Sequence, residues 1–312
     1  MTFNDLNSLG FKREPFLFIS DFKAKNLEVI LLKDLKNEDI EFSIEEASIK
    51  NFSPYTLKKF PLSFEEYKIK FDKIIEKIKS GDTYLLNLTQ ATRIQTELTL
   101  EEIYHSASAH YKLRFKNQFV CFSPEKFIQI NDDKIHTYPM KGTIDASLLH
   151  AQEIILSDKK EMAEHVMVVD LLRNDLSIVA KDVKVEKFRY VQTIEAGEKK
   201  LLQVSSHISG HVGAHWHEKI GDILKSLLPA GSISGAPKKS TLKIIDEVEG
   251  YDRGYFSGVF GVYDGKKFDS GVMIRFIEKT KDGYIYKSGG GITLDSDAQS
   301  EYNELLDKIY LA

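Results

Sequence analysis

Thiols are almost missing from this chain, in which Cys121 is the one cysteine. That excludes a disulfide within the chain, a multi-thiolate zinc site and Cys-x-x-Cys redox chemistry. Long apolar runs are missing as well. No stretch approaches the ~18 consecutive apolar residues of a transmembrane helix, and the opening MTFNDLNSLG lacks the basic-then-apolar order of a signal peptide. The expectation is a cytoplasmic protein with no membrane partner. Neither sign of charge dominates: 43 Lys and Arg are interspersed with 47 Asp and Glu for a net charge of −4, which gives a nucleic-acid partner no electrostatic footing. What is present, 42% hydrophobic and 29% charged residues over 312 positions, is the balance of a globular protein with a sizeable core.

The stretch from Lys159 to Asp175 separates its residues into stripes when wound at 3.6 residues per turn. Met162, Val166, Val169 and Leu172 form an apolar stripe, and Glu161, Glu164, His165 and Val168 form a second, chemical one. A similar Glu-x-x-Glu pair recurs far along the chain, where Asp295 or Ser296 can cap a helix presenting Glu301, Glu304 and Lys308. Four carboxylates on two helices suit a hard cation such as Mg²⁺, which takes oxygen ligands in an octahedral shell and keeps several waters. Two solvated helix faces are the plain alternative.

Ser63 and Glu66 form a capping box for a helix over 63–80 that Gly81 stops, and Thr99 caps another to about Tyr111. Short strands are expected over 84–94, 119–122, 127–130 and 135–138, strand-like pattern runs from Asp182 to Val212, and Glu218–Leu228 reads as a helix ended by Pro229. From Gly254 to Ile292 the pattern is an antiparallel meander with turns at Asp264-Gly265 and Asp282-Gly283. Apolar runs between Phe16 and Ile49 predict a few more strands. Hairpins outnumber βαβ units, so the fold class is α+β, with antiparallel sheets covered by helices.

Several residues stand out within that frame. Gly289, Gly290 and Gly291 are costly inside a strand and need a reason, such as close approach of a ligand carboxylate to their amides or a tight corner. Arg275 in the apolar run VMIRFI wants an anion, either a ligand carboxylate or a structural partner. Lys141, in YPMKGT, is a nucleophile if burial lowers its pKa, and otherwise a lysine reaching to solvent. Glu125, after a Ser-Pro turn, is either a turn acid or a general acid. In GSISGAP, Gly231, Ser232 and Ser234 precede Pro237 at an expected first helical position, leaving free amides in front of a helix.

Seven stretches, SPEKF, PMKGT, EMAEHVMVVDLLRNDL, PAGSISGAPK, RGYFSGVFGVYDG, IRFI and SGGGITLDSDAQSEYNE, follow one another here as they do in the chorismate-utilising enzymes, and the chain resembles that family from about Leu62 onward. The resemblance implies large antiparallel β-sheets packed face to face with helices on the outside. Residues 1–60 would be a short N-terminal β-rich layer of the same unit, and 61–312 the chorismate-binding catalytic domain. It implies Mg²⁺ as cofactor, with Glu164 and Glu304 as direct ligands and Glu161 and Glu301 nearby through water. Arg275 and Tyr255 match residues holding the enolpyruvyl carboxylate of chorismate; Gly289 to Gly291 with Lys308 match the ring-carboxylate site, and Thr143 and Ser234 would line the same cavity. The position of a water-activating lysine in some members is Leu85 here, and a frequent substrate-facing histidine falls at Gln203. Lys141 stands where members that aminate C4 of chorismate carry a nucleophilic lysine, with Glu125 as acid. The implied activity is therefore formation of 4-amino-4-deoxychorismate, the precursor of p-aminobenzoate in folate biosynthesis, by the aminodeoxychorismate synthase branch. Ammonia would come from a separate glutamine amidotransferase. Anthranilate synthase is the alternative reaction, and a non-catalytic chorismate-binding relative the alternative class.

Overall fold

The run FLFIS forms strand β1 (Phe16–Ser20), buried at every residue, and the alternation of its side chains assigns the layers. Phe16 and Phe18 enter a core shared with helices, whereas Leu17 and Ile19 enter a second core shared with another sheet. The computed structural model that shows this describes residues 1–44, 55–196 and 199–311. The part of the expected N-terminal strand run over 45–49 lies outside the described residues.

Every strand pairing among the described residues is antiparallel. The first sheet runs β10 (Met140–Asp145), β12 (Lys199–His211), β9 (Lys134–Thr137), β8 (Lys126–Asn131), β15 (Phe268–Val272), β14 (Val259–Tyr263), β1 and β2 (Leu27–Leu31), and β11 (Lys181–Ala196) also pairs with β12. The second runs β13 (Gly235–Ala236), β5 (Leu85–Gln95), β17 (Gly283–Ile292), β16 (Phe276–Thr280), β7 (Phe119–Ser123), β6 (Tyr111–Phe115) and β3 (Ile40–Ile44), with β4 (Lys58–Phe60) also on β5. The described strands among the first 60 residues are thus shared between both sheets. Between the sheets Leu17, Ile19 and Phe260 meet Tyr111, Leu113, Phe119 and Phe276.

Helices cover the outer faces. These are α1 (Phe3–Phe11), α2 (Phe64–Lys79), α3 (Leu100–Ser106), α4 (Ala151–Ser157), α5 (Lys159–Val179), α6 (Ile220–Leu227), the single turn α7 (Gly231–Ser234), α8 (Lys238–Val248) and α9 (Ala298–Asp307). The fold is α+β with face-to-face antiparallel sheets. The α2 capping box forms as its sequence predicts, Ser63 N–H donating to Glu66 at 2.8 Å and Glu66 N–H to Ser63 Oγ at 3.2 Å. Two expectations need correction, and one helix was missed. The helix capped by Thr99 ends at Ser106, and Tyr111 instead opens β6, its ring buried between the sheets and its hydroxyl donating to Asp269 at 2.6 Å. Helix α1 was not foreseen, its Asp5 accepting from the Thr2 amide at 2.6 Å. Pro237 is the cap of α8 rather than its first residue. No described helix is long and apolar enough to cross a membrane.

Candidate active site

Glycines 289–291 lie on β17 opposite Thr89, Leu88 and Asn87 of β5. A Cβ on Gly289 would fall 2.4 Å from the Leu88 carbonyl oxygen, so β5 itself demands glycine there. A Cβ on Gly290 would instead stand 3.4 Å from Glu301 Oε2, 3.7 Å from Glu304 Oε1 and 3.7 Å from Lys308 Nζ. The bare strand is therefore the surface over which the charged groups of α9 gather.

Those groups arrive from two helices. Asp158 caps α5, accepting from the Glu161 amide at 2.9 Å, and Asp297 caps α9, accepting from the Ser300 amide at 2.9 Å. The α9 cap is thus Asp297 rather than Asp295 or Ser296; Ser296 Oγ instead donates to Glu301 Oε1 at 2.8 Å. On α5, His165, Val169, Leu172 and Leu176 face the core, while Met162 and Val166 are exposed, so the apolar stripe sits one flank away from the expected one. Glu161 and Glu164 share one face as the spacing predicts, and that face is not the solvated one: Glu164 is buried and Glu161 half-buried.

Lysines interleave these acids. Lys141 Nζ stands 2.6 Å from Glu164 Oε2, and Lys308 Nζ stands 2.6 Å from Glu304 Oε1 while donating to the Gly289 carbonyl at 2.8 Å. Burial alone would lower the Lys141 pKa, but Glu164, backed by Glu304 and Glu161, outweighs it and holds the pKa above its ordinary value. Lys141 is thus held as an ammonium rather than neutralised by burial. Lys308 goes the other way, because burial outweighs its partner Glu304. Burial raises Glu161 and Glu301, whereas Lys308 and the other lysines overcome burial and lower Glu304.

Carboxylate oxygens are the donor set that Mg²⁺ prefers, and Glu161 Oε2 is buried with no hydrogen-bond partner. A Cβ on Gly142, whose φ is +90°, would lie 3.1 Å from that oxygen, so a side chain here would be strained and would crowd it. The residues therefore fit a divalent cation. They do not present a closed shell: among the described residues, the one trio whose ligand atoms all lie within 4.8 Å of one another is Glu41, Glu101 and His105, at the surface.

Beside this floor opens a cleft of about 120 Å³, whose lining includes Asn87, Glu125, Ser232, Arg275, Tyr286, Gly289 and Lys308. Glu125 accepts a 2.5 Å hydrogen bond from Ser232 Oγ. Burial raises its pKa against the opposing pull of Ser232, Arg275 and Lys308, so this carboxyl is poised to carry a proton. Arg275 lies at a bend before β16 rather than within a strand, with φ 51°, a left-handed conformation costing a non-glycine residue roughly 1–2 kcal/mol. Its Nε donates to the Tyr310 hydroxyl at 3.1 Å.

Three expected lining residues are elsewhere. The half-buried Tyr255 ring packs on Phe115 and Phe119, 5.7 and 5.2 Å between centroids, against the core between the sheets. Ser234 is fully buried and donates to the Ala230 carbonyl at 2.8 Å, so Ser232 is the serine of that motif that reaches the cleft. Thr143 is exposed on β10 opposite Gln203 of β12. Leu85 is an apolar wall whose Cδ1 would be 3.2 Å from a Cβ on Gly291. His165 Nε2 meets Ser206 Oγ at 2.7 Å, and burial lowers its pKa to about 4, so it is neutral and part of the packing.

Under the cleft runs a buried ionic network that the sequence did not announce. Arg253 donates to both oxygens of Glu249 at 2.8 and 2.6 Å, to the Ile233 carbonyl at 3.0 Å and to the Asn87 carbonyl at 2.7 Å. Glu249 also accepts from Thr89 N–H and Oγ. Two cleft walls, β5 and the 231–234 turn, are thereby locked to one guanidinium.

A buried acid, a guanidinium at a bend, a glycine strand and four carboxylates brought by α5 and α9 thus come together in an α+β protein of two antiparallel sheets. The chain belongs to the chorismate binding enzyme family, whose model matches residues 17–312. It is 46% identical over 309 residues to an uncharacterized PabA-like protein of Haemophilus influenzae, covering 98% of this chain and 94% of that one. It is 32% identical over 264 residues to aminodeoxychorismate synthase component 1 of Klebsiella aerogenes, covering 80% of this chain and 57% of that longer one. Among solved structures, anthranilate synthase component I of Streptococcus pneumoniae superimposes with a TM-score of 0.68 at 25% identity, over 82% of this chain and 59% of that one.

Proposed function

We propose that this protein aminates chorismate at C4 with ammonia, giving 4-amino-4-deoxychorismate for p-aminobenzoate and folate synthesis in the cytoplasm. The observation that carries the reading is the 2.6 Å ion pair of Lys141 with Glu164 on the carboxylate floor, beside a cleft lined by the buried acid Glu125 together with Arg275 and Lys308. Similarity to aminodeoxychorismate synthase component 1 supports it.

Mg²⁺ held by Glu164 and Glu304, with Glu161 and Glu301 beside them, would supply positive charge for the ring carboxylate. Lys308 and the glycine strand complete that pole, and Arg275 takes the enolpyruvyl carboxylate. Lys141, held as an ammonium beside Glu164, first gives up its proton to solvent, and the amine so freed forms a bond to ring C2; the ring double bonds shift, the C4–O bond breaks, and Glu125 gives its proton to the departing oxygen, which leaves as water. Ammonia then bonds to C4, the double bonds shift back, and the C2–N bond breaks to return the lysine amine. The proton that ammonia sheds restores Glu125. Leu85 puts a hydrocarbon wall where water activation would need a base.

Ammonia is supplied by a separate glutamine amidotransferase. Cys121 is fully buried in β7 and burial raises its thiol pKa, so it is no glutaminase nucleophile. The structural likeness to an anthranilate synthase keeps amination at C2 as the second reading. Incubating the pure chain with chorismate, Mg²⁺ and ammonium and weighing the product separates them: retention of the enolpyruvyl group is expected, and anthranilate would select the second reading.

A further inference from the structure

The carboxylate floor holds a third lysine to which the proposed chemistry gives no task. Lys160 precedes Glu161 on α5, its side chain is 45% exposed, and its Nζ lies 3.8 Å from Glu164 Oε1 and 3.9 Å from Glu301 Oε1. One ammonium thus stands between an acid of α5 and an acid of α9. Both separations exceed hydrogen-bond length, so charge alone holds it there. Lys141 and Lys308 differ: each grips one carboxylate at 2.6 Å, and Lys308 is also anchored on the Gly289 carbonyl. Lys160 is the lysine of the three that can leave by rotating into water, a side-chain motion of picoseconds to nanoseconds.

We infer that Lys160 is a tethered counter-cation, which neutralises Glu164 and Glu301 while the floor holds no divalent ion and turns away to solvent when one binds. It rests on the reading of these acids as a Mg²⁺ site. Four carboxylates gathered on one surface repel one another, and Lys160 relieves that repulsion on the side facing solvent, across the gap between α5 and α9. A divalent ion entering the same space meets an ammonium about 4–6 Å away, a repulsion that weakens as salt screens it. Lys160 thereby sets the affinity of the floor for the cation and favours filling only when the ion is plentiful.

The test is calorimetric titration of the full chain with Mg²⁺, for wild type, Lys160→Gln and Lys160→Arg, with thermal melting of each in EDTA. Lys160→Gln should bind Mg²⁺ about 3- to 10-fold more tightly at low ionic strength, and the gap should narrow as salt is added. It should also melt below wild type in EDTA, while Lys160→Arg keeps wild-type affinity and melting. Equal or weaker Mg²⁺ binding by Lys160→Gln, or a gap indifferent to salt, overturns the role given to Lys160 and leaves the metal site standing. No Mg²⁺ uptake by either wild type or Lys160→Gln overturns both.

Discussion

Ser232→Ala deletes one hydroxyl from the proposed acid and should be visible in the pH dependence of turnover. The Ser232 hydroxyl donates to Glu125 at 2.5 Å, so it favours the ionised carboxylate and opposes the rise that burial imposes. A hydrogen bond to a charged group contributes roughly 1.5–3 kcal/mol, equivalent to about 1–2 pKa units at about 1.36 kcal/mol each. Water entering the vacated space returns part of that, leaving an upward shift of about 1 unit. The general acid then stays protonated to higher pH, and the alkaline limb of chorismate consumption moves up by about the same amount. Ser232→Thr, which keeps the hydroxyl, should leave the limb where it is. The assay is the rate of chorismate loss across pH at constant free ammonia, so that ammonium titration does not imitate the effect. An alkaline limb that stays fixed, or moves down, in Ser232→Ala would refute either the acid role of Glu125 or the sign of this argument.

Lys141→Ala should slow amination by at least about 10³-fold with little change in KM, because the floor and Arg275 still bind substrate; wild-type turnover would make Lys141 a bystander. Lys141→Arg should do no better, since a guanidinium stays protonated, and product analysis of both variants checks it. Arg253→Met leaves Glu249 buried without its partner and should lower unfolding free energy by about 3–5 kcal/mol in urea titration; a loss below about 1 kcal/mol would mean the network is not holding the cleft walls. The pure chain should use ammonium salts but not glutamine, and glutamine-dependent turnover without an added amidotransferase would contradict the sealed environment of Cys121.

Periodicity and caps carry local information, and they made most of this fold legible. Ser63 with Glu66 and the Asp-Gly turns at 264–265 and 282–283 fall where the sequence places them. That Glu161 and Glu164 share one face of α5 was legible for the same reason; that this face is buried was not. Its apolar partner stripe was not, because which flank of a helix is buried depends on what packs there, and Met162 and Val166 lost that choice to His165 and Leu176. Tyr255 and Ser234 show the limit of carrying roles by position: each sits in its motif, but one ring packs against the core between sheets and one hydroxyl turns back on its own helical turn. Arg253 stood in the stretch RGYFSGVFGVYDG without a role, since its partners Asn87, Ile233 and Glu249 are brought to it only when β5 and α7 close around it.

The place of β1 bears on how the chain must fold. Phe16 pairs with Tyr263, so a strand made early lies inside the first sheet beside one made some 240 residues later. Joining ends across a loop of that length costs an entropy term of about 5 kcal/mol from the logarithmic dependence on loop size. Neighbouring contacts must form before that closure is repaid, so assembly of this sheet is slow compared with its hairpins. On the ribosome β1 can pair with β2 at once, but its other edge and its four apolar side chains stay open to wrong partners until β14 emerges. By then α5 has long been made and α9 has not, so the two acidic helices meet only after the sheet has a centre.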